Sequence, residues 1–198
     1  MTSGLRTAVG FLTVVPAGRT AWAPERAAPW FPVVGLGIGL AAGLQAGFWM
    51  WLVGGLAGGG LSIAGAAVLT GGLHLDGLAD SADAALASAD IERRRGIVAD
   101  VYHGTYGLAA SVLAIIVSAG CLSSLGTTEA AAALGASMFA ARCAGVVVMW
   151  RWKPWRDGLG ARFARGATPG VAVVAVVAAL AGWALLWGLA GVAAWAAG

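Results

Sequence analysis

Long apolar runs interrupted by two polar stretches set the pattern of this chain. The runs cover about 32–53, 58–75, 106–125, 130–150 and 171–195. Each approaches the ~20 residues that an α-helix needs to cross a ~30 Å hydrocarbon core. The pattern predicts an all-α fold, a polytopic membrane helix bundle of about five transmembrane helices. A shorter apolar segment, 4–15, is closed by Pro16 and predicts an N-terminal interfacial or partly re-entrant helix, not a cleavable signal. The glycine-rich link 54–60 is a turn. No repeat of fixed period is visible, so residues 1–198 are expected to form a single integral membrane domain. Aqueous chemistry has room in the polar stretches, 74–105 and 151–168.

Composition agrees with that reading. Apolar residues make up 60% of the chain and charged residues 11%, against ~25% in soluble domains. Mean hydropathy is +0.84. The 32 glycines suit helices that pack closely in lipid. Trp22, Trp30, Trp49, Trp51, Trp150, Trp152 and Trp155 fall near the predicted membrane edges, where amphipathic rings prefer to sit. The net charge of +3, without a basic tail, excludes a nucleic-acid partner. Cys121 and Cys143 lack metal-ligand spacing and read as small buried hydrophobes.

Position carries more information than total charge. Arg6, Arg19 and Arg26 precede the first run, Arg93, Arg94 and Arg95 follow the second, and Arg151, Lys153, Arg156, Arg162 and Arg165 follow the fourth. The remaining linkers hold no Lys or Arg, so all basic residues except Arg142 fall on one side. By the positive-inside rule that side is the cytoplasm, with the N-terminus in, the C-terminus out and both polar stretches together.

The acidic residues supply the candidate chemistry. Asp76, Asp80 and Asp83 are spaced by four and three residues and share one helical face, as does Asp90 if the helix continues. Like charges at this spacing cost ~0.2–0.5 kcal/mol per pair on an exposed helix and more near hydrocarbon. Either the cluster is a solvated helix end or a cation offsets it, and hard carboxylate oxygens suit Mg²⁺. Asp100 would return beside Asp76 and Asp80 if the second and third helices pack antiparallel. Gly104 and Gly107 would then let the backbone approach a phosphate. Mg²⁺ held by carboxylates at a membrane edge points to phosphoryl transfer.

Single residues add to this. Arg142 lies inside the fourth run, where an arginine costs at least ~2.5 kcal/mol, and is expected to pair with an aspartate or a substrate phosphate. His74 lies ~200° around the helix from Asp76, so the two cannot face one site in a regular helix. Arg93 to Arg95 read as a cluster facing lipid headgroups, or as attracting an anionic diphosphate. Asp157 sits in a loop, within reach of the site.

The stretch "GGLHLDGLADSADAAL" (71–86) resembles the signature of the cobalamin synthase family, the adenosylcobinamide-GDP ribazoletransferases. "FLTVVP" (11–16), "WFPVVGLGIG" (30–39), "GTYG" (104–107) and "ARCAGVVV…WRDGLGARF" (141–163) resemble further family elements in the same order. The resemblance implies a Mg²⁺-dependent transferase of the bacterial cytoplasmic (inner) membrane. It would join adenosylcobinamide-GDP to α-ribazole, or to its 5′-phosphate, and release GMP. Residues and resemblance together give the expected site. Asp76, Asp80 and Asp83 are catalytic, and with Asp100 they hold the metal. His74, Gly104, Thr105, Arg142 and Asp157 contact substrate. A homo-oligomer or a corrinoid-assembly complex is a further expectation.

The chain departs from the family pattern at three places. Val14 and Tyr102 stand where the family has arginine, with His103 beside the second. No counterpart of the C-terminal "GG-x-TGD-x-LGA" element precedes Gly198, so the chain is expected to be truncated or divergent. Three other readings compete. A CDP-alcohol phosphotransferase would need an aspartate at Leu73 and "AR" at Ala79-Asp80. A transporter would place its site near the midplane. A non-catalytic remnant would bind a partner instead.

Overall fold

The computed structural model describes residues 2–18, 22–100, 102–152 and 154–197, with side chains of the last helix up to 185 and at 188. Arg19 and Lys153, used above for orientation, lie outside the described residues. The regular elements among the described residues are helices: α1 Ser3–Leu12, α2 Phe31–Leu52, α3 Gly55–Leu69, α4 Leu73–Leu86, α5 Ile91–Val98, α6 Thr105–Ser123, α7 Thr127–Arg151, α8 Leu159–Ala164 and α9 Pro169–Ala197. Short 3₁₀ turns at Pro24–Arg26 and Ala28–Trp30 lead into α2.

Among the described residues, three helical segments, Ala28–Leu52, Thr105–Ser123 and Thr127–Arg151, are long and apolar enough to cross a membrane. The α3–α4 pair makes a fourth if taken as one span, and α9 is apolar along Pro169–Leu185. Large apolar side chains such as Leu108, Leu113, Ile116 and Val117 of α6 lie exposed, as a lipid-facing surface requires.

Small residues bring the helices together. Gly35, Gly39 and Gly43 repeat every fourth position on α2 and meet α7 in antiparallel order. A Cβ on Gly39 would lie 2.6 Å from the carbonyl oxygen of Gly135, and one on Gly43 2.8 Å from that of Ala131. Gly59 of α3 meets the Ala119 backbone of α6 in the same way. Gly39→Leu is therefore expected to lower the thermal midpoint in detergent, at a cost of roughly 1–3 kcal/mol or more. Gly37→Ala, where nothing lies within 4 Å, is the control and leaves it unchanged.

The structure corrects several local expectations. The 54–60 link is not all turn, because α3 begins at Gly55, and only Gly54 and Gly55 carry the positive φ of the reversal. The second apolar run does not pass straight into the aspartates. It stops at Leu69, and α4 leaves at 94°. Gly71 (φ 63°) and Gly72 (φ 71°) adopt the left-handed region that makes this corner, and the Thr70 hydroxyl donates back to Ala66 O at 3.0 Å. Asp90 is not on the aspartate face. The helix ends at Leu86, and Asp90 caps α5 by accepting from Arg93 N at 2.8 Å. Cys143 is buried as expected, whereas Cys121 is exposed on α6.

The N-terminal segment is stitched to the polar side of the bundle. α1 buries Thr7, Ala8 and Leu12. Phe11 lies 4.4 Å from Phe163 of α8 between ring centroids, and Phe163 lies 5.5 Å from Phe31. Val14 N donates to Leu69 O at 3.1 Å, which hooks the segment onto the α3–α4 corner.

Arg162 Nε donates to Glu25 Oε1 at 2.7 Å. This hydrogen bond leads the effects that hold the Glu25 carboxyl below its ordinary 4.5. A lowered folded-state value means that the pair adds stability above the unfolded value and loses it as pH falls through the folded one. Between about pH 5 and 3 the thermal midpoint of Glu25→Gln is therefore expected to fall less steeply than that of the unsubstituted chain.

Candidate active site

The site is built where α4 crosses the start of α6. Asp83 is the best-buried aspartate, 8% exposed. Its Oδ2 accepts from Gly104 N at 2.6 Å and its Oδ1 from Gly107 N at 2.8 Å. These donors open α6, so a carboxylate from another helix caps its N-terminus and meets the positive end of its dipole. The glycines are required there. A Cβ on Gly104 would lie 2.6 Å from Asp83 Oδ1, and one on Gly107 2.7 Å from Ala79 O.

The tie fixes what lies next to it. His103, one residue before Gly104, stands against the α4 face one and two turns back from Asp83. Its Nδ1 lies 3.3 Å from Asp80 Oδ1 and its Nε2 3.4 Å from Asp76 Oδ1. The side chains of His103, Asp76 and Asp80 are 43%, 63% and 25% exposed, so water and solutes reach them. His103 is the residue that sequence reasoning undervalued. The available signal was its place beside Gly104, once Gly104 is known to bond Asp83.

The remaining expected residues divide. Thr105 is the first residue of α6 and is exposed beside the tie. Asp100 is exposed, and its Oδ1 accepts from Tyr102 N at 3.2 Å. Asp157 is exposed on the loop before α8. That loop meets the first polar stretch, because the Arg95 guanidinium lies 5.2 Å from the Trp155 ring centroid. Among the described residues, no group of three or more His, Cys, Asp or Glu side chains is gathered closely enough to hold a metal ion.

Arg142 and His74 form a separate place. Arg142 is 2% exposed, and its Nη1 donates to Met138 O at 3.1 Å. Its Nη2 lies 3.5 Å from His74 Nδ1, and its buried Nε has no partner. The expected ion pair with an aspartate is not formed. Among the described residues, no carboxylate lies within ion-pair distance of Arg142, because the aspartates occupy the other side of α4.

Comparison with known proteins gives a consistent result. Residues 4–198 match the family described as Cobalamin-5-phosphate synthase. An adenosylcobinamide-GDP ribazoletransferase of Novosphingobium aromaticivorans is 38% identical over 164 residues, covering 80% of this chain and 61% of the relative. One of Halorubrum lacusprofundi is 37% identical over 148 residues, covering 67% and 51%. One of Bradyrhizobium diazoefficiens is 37% identical over 177 residues, covering 85% and 67%. The chain thus spans about half to two thirds of the length of these curated relatives. No solved structure matches. The helix that carries "HLDGLAD", the glycines that receive its third aspartate and a family match running from residue 4 to 198 lead to one conclusion: this chain belongs to the cobalamin-5-phosphate synthase family.

Proposed function

We propose that the chain carries out the phosphoryl transfer for which its relatives are named, joining adenosylcobinamide-GDP to α-ribazole or its 5′-phosphate. A hydroxyl of the acceptor attacks the cobinamide-side phosphorus, a new P–O bond forms, and the bond to GMP breaks. The single observation that carries this reading is the pair of carboxylates, Asp76 and Asp80, flanking one imidazole beside a tied helix N-terminus.

Mg²⁺ fits this donor set. The Oδ1 atoms of Asp76 and Asp80 each lie beside a nitrogen of the same ring, so two hard oxygen donors border one imidazole. Mg²⁺ needs only one or two carboxylates when substrate phosphates and water complete its shell. Bound there, it would neutralise charge on the reacting phosphates. Asp83 supports the site from behind as a positioning residue, since both of its oxygens already accept hydrogen bonds. Asp76 and Asp80, which now contact His103, would hold the cation in place of that ring. Gly104 and Thr105 line the approach to the reacting phosphates. Asp100 and Asp157 border the same polar side, and His74 and Arg142 take a substrate group behind α4.

We place the aspartate face toward the cytoplasm of a bacterial inner membrane. The exposed apolar helices support the bilayer as solvent, and the meeting of Arg95 with Trp155 supports one common side for the polar stretches. Self-association or assembly with other corrinoid enzymes belongs to this proposal as a partner class.

The test is release of GMP from adenosylcobinamide-GDP by the membrane-inserted chain with Mg²⁺ and either acceptor. CDP-diacylglycerol with an alcohol serves as the control pair. GMP is the expected product. Turnover of the control pair alone would overturn the reading.

A further inference from the structure

Behind α4, on the side turned away from the aspartates, lies a cavity of about 330 Å³ lined by Thr70, His74, Ser118, Ser137 and Arg142 among apolar residues of α3 and α7. His74 stands exposed at its mouth, and the guanidinium of Arg142 is buried within it. A guanidinium stays charged under all ordinary conditions and offers five N–H donors in a plane. Here it lies in an apolar helix, its Nε has no acceptor, and no carboxylate pairs with it among the described residues. Burying such a charge is unfavourable unless an anion joins it. The contact to His74 adds direction. An Nδ1 that accepts from Arg142 leaves the imidazole proton on Nε2, which makes that nitrogen a second donor.

We infer that the His74–Arg142 cavity is a phosphate-ester site distinct from the reacting centre, and that it holds a phosphate that does not take part in bond exchange. The reason is geometric. His74 and Asp76 are two residues apart and point ~200° away from each other around α4. One phosphate cannot touch both faces. The apolar share of the lining fits an oxyanion attached to an apolar body better than a free ion. Two sources carry that chemistry: the 5′-phosphate of the acceptor nucleotide and the phosphate of a membrane lipid. The inference rests on the proposed function only where it names the nucleotide.

The experiment uses the purified full chain in an uncharged detergent. Calorimetric titrations compare α-ribazole 5′-phosphate, α-ribazole without the phosphate, and phosphatidylglycerol in mixed micelles. Arg142→Gln is expected to weaken binding of a phosphate-bearing probe by about tenfold or more, with partial retention in Arg142→Lys and no change for α-ribazole. Ser137→Leu, which fills the cavity and keeps the guanidinium, is expected to give the same loss and covers the case in which Arg142→Gln fails to fold. A response of the nucleotide assigns the site to the acceptor, and a response of the lipid assigns it to the bilayer. If neither phosphate probe binds, or if folded Arg142→Gln and Ser137→Leu bind both as the unsubstituted chain does, the inference is overturned. GMP release measured in parallel separates the two failures. Release with probe binding insensitive to Arg142 sinks the cavity site alone. Arg142-dependent binding without release sinks the proposed reaction alone.

Discussion

Asp80→Asn is expected to reduce GMP release by on the order of 10²-fold or more while leaving expression and membrane insertion normal. Of the two carboxylates that flank His103, Asp80 is the less exposed, so it has less water to replace a lost oxygen. Asparagine keeps the size of the side chain and removes its charge. The loss should therefore appear in the magnesium dependence, with half-maximal activity displaced to higher Mg²⁺. Asp76→Asn should show the same displacement with a smaller fall in rate. Normal turnover in Asp80→Asn would remove the metal assignment, whatever the fate of the family reading. Equal losses at every Mg²⁺ concentration would indicate that the residue acts on substrate and not through the ion.

Asp83→Ala is expected to destabilise the protein by roughly 2–4 kcal/mol, because the N–H groups of Gly104 and Gly107 lose a charged acceptor. Asp83→Asn keeps one carbonyl oxygen and should fall between alanine and the unsubstituted chain. Thermal midpoints in detergent check the order. Activity should fall with stability, since releasing the tie lets the start of α6 move and carries His103 away from α4. Gly107→Ala should produce a similar loss from the other side, because its methyl group would press on Asp83 and on Ala79 O. The two substitutions act on one contact, so their effects should be clearly less than additive in the double variant. An Asp83→Ala chain that melts with the unsubstituted protein would show that the tie contributes nothing.

Much of this arrangement can be read from residue order, and the reasons for the rest are physical. Apolar runs identify the helices because the bilayer demands about 20 of them in a row. The four-and-three spacing places the aspartates on one face because α4 is regular across it. The corner at Gly71 and Gly72 escaped this reading because hydropathy does not change across it, and only the sign of φ does. Asp83 differs from Asp76 and Asp80 through what faces it, not through its own surroundings in sequence. Its partners lie 21 and 24 residues later, and no local period reports such a distance. Glu25 and Arg162 are 137 residues apart, so their pairing depends on the whole bundle being assembled. Arg142 was legible as an anomaly in an apolar run. The partner it lacks could be seen only once α4 had shown which side its carboxylates occupy.

The corner that ends α3 has a consequence for supply. A helix of 14 residues turned by 94° from the one before it carries its aspartates on one face and His74 on the other, and in the proposed orientation those faces would meet different media. Molecules dissolved in water would search the aspartate face by three-dimensional diffusion. An amphiphile held in the leaflet would search the other within a plane, so its abundance there is counted per unit area and not per unit volume. On the proposed reading, two reagents of opposite solubility would be delivered to one strip of backbone without either leaving the phase it prefers.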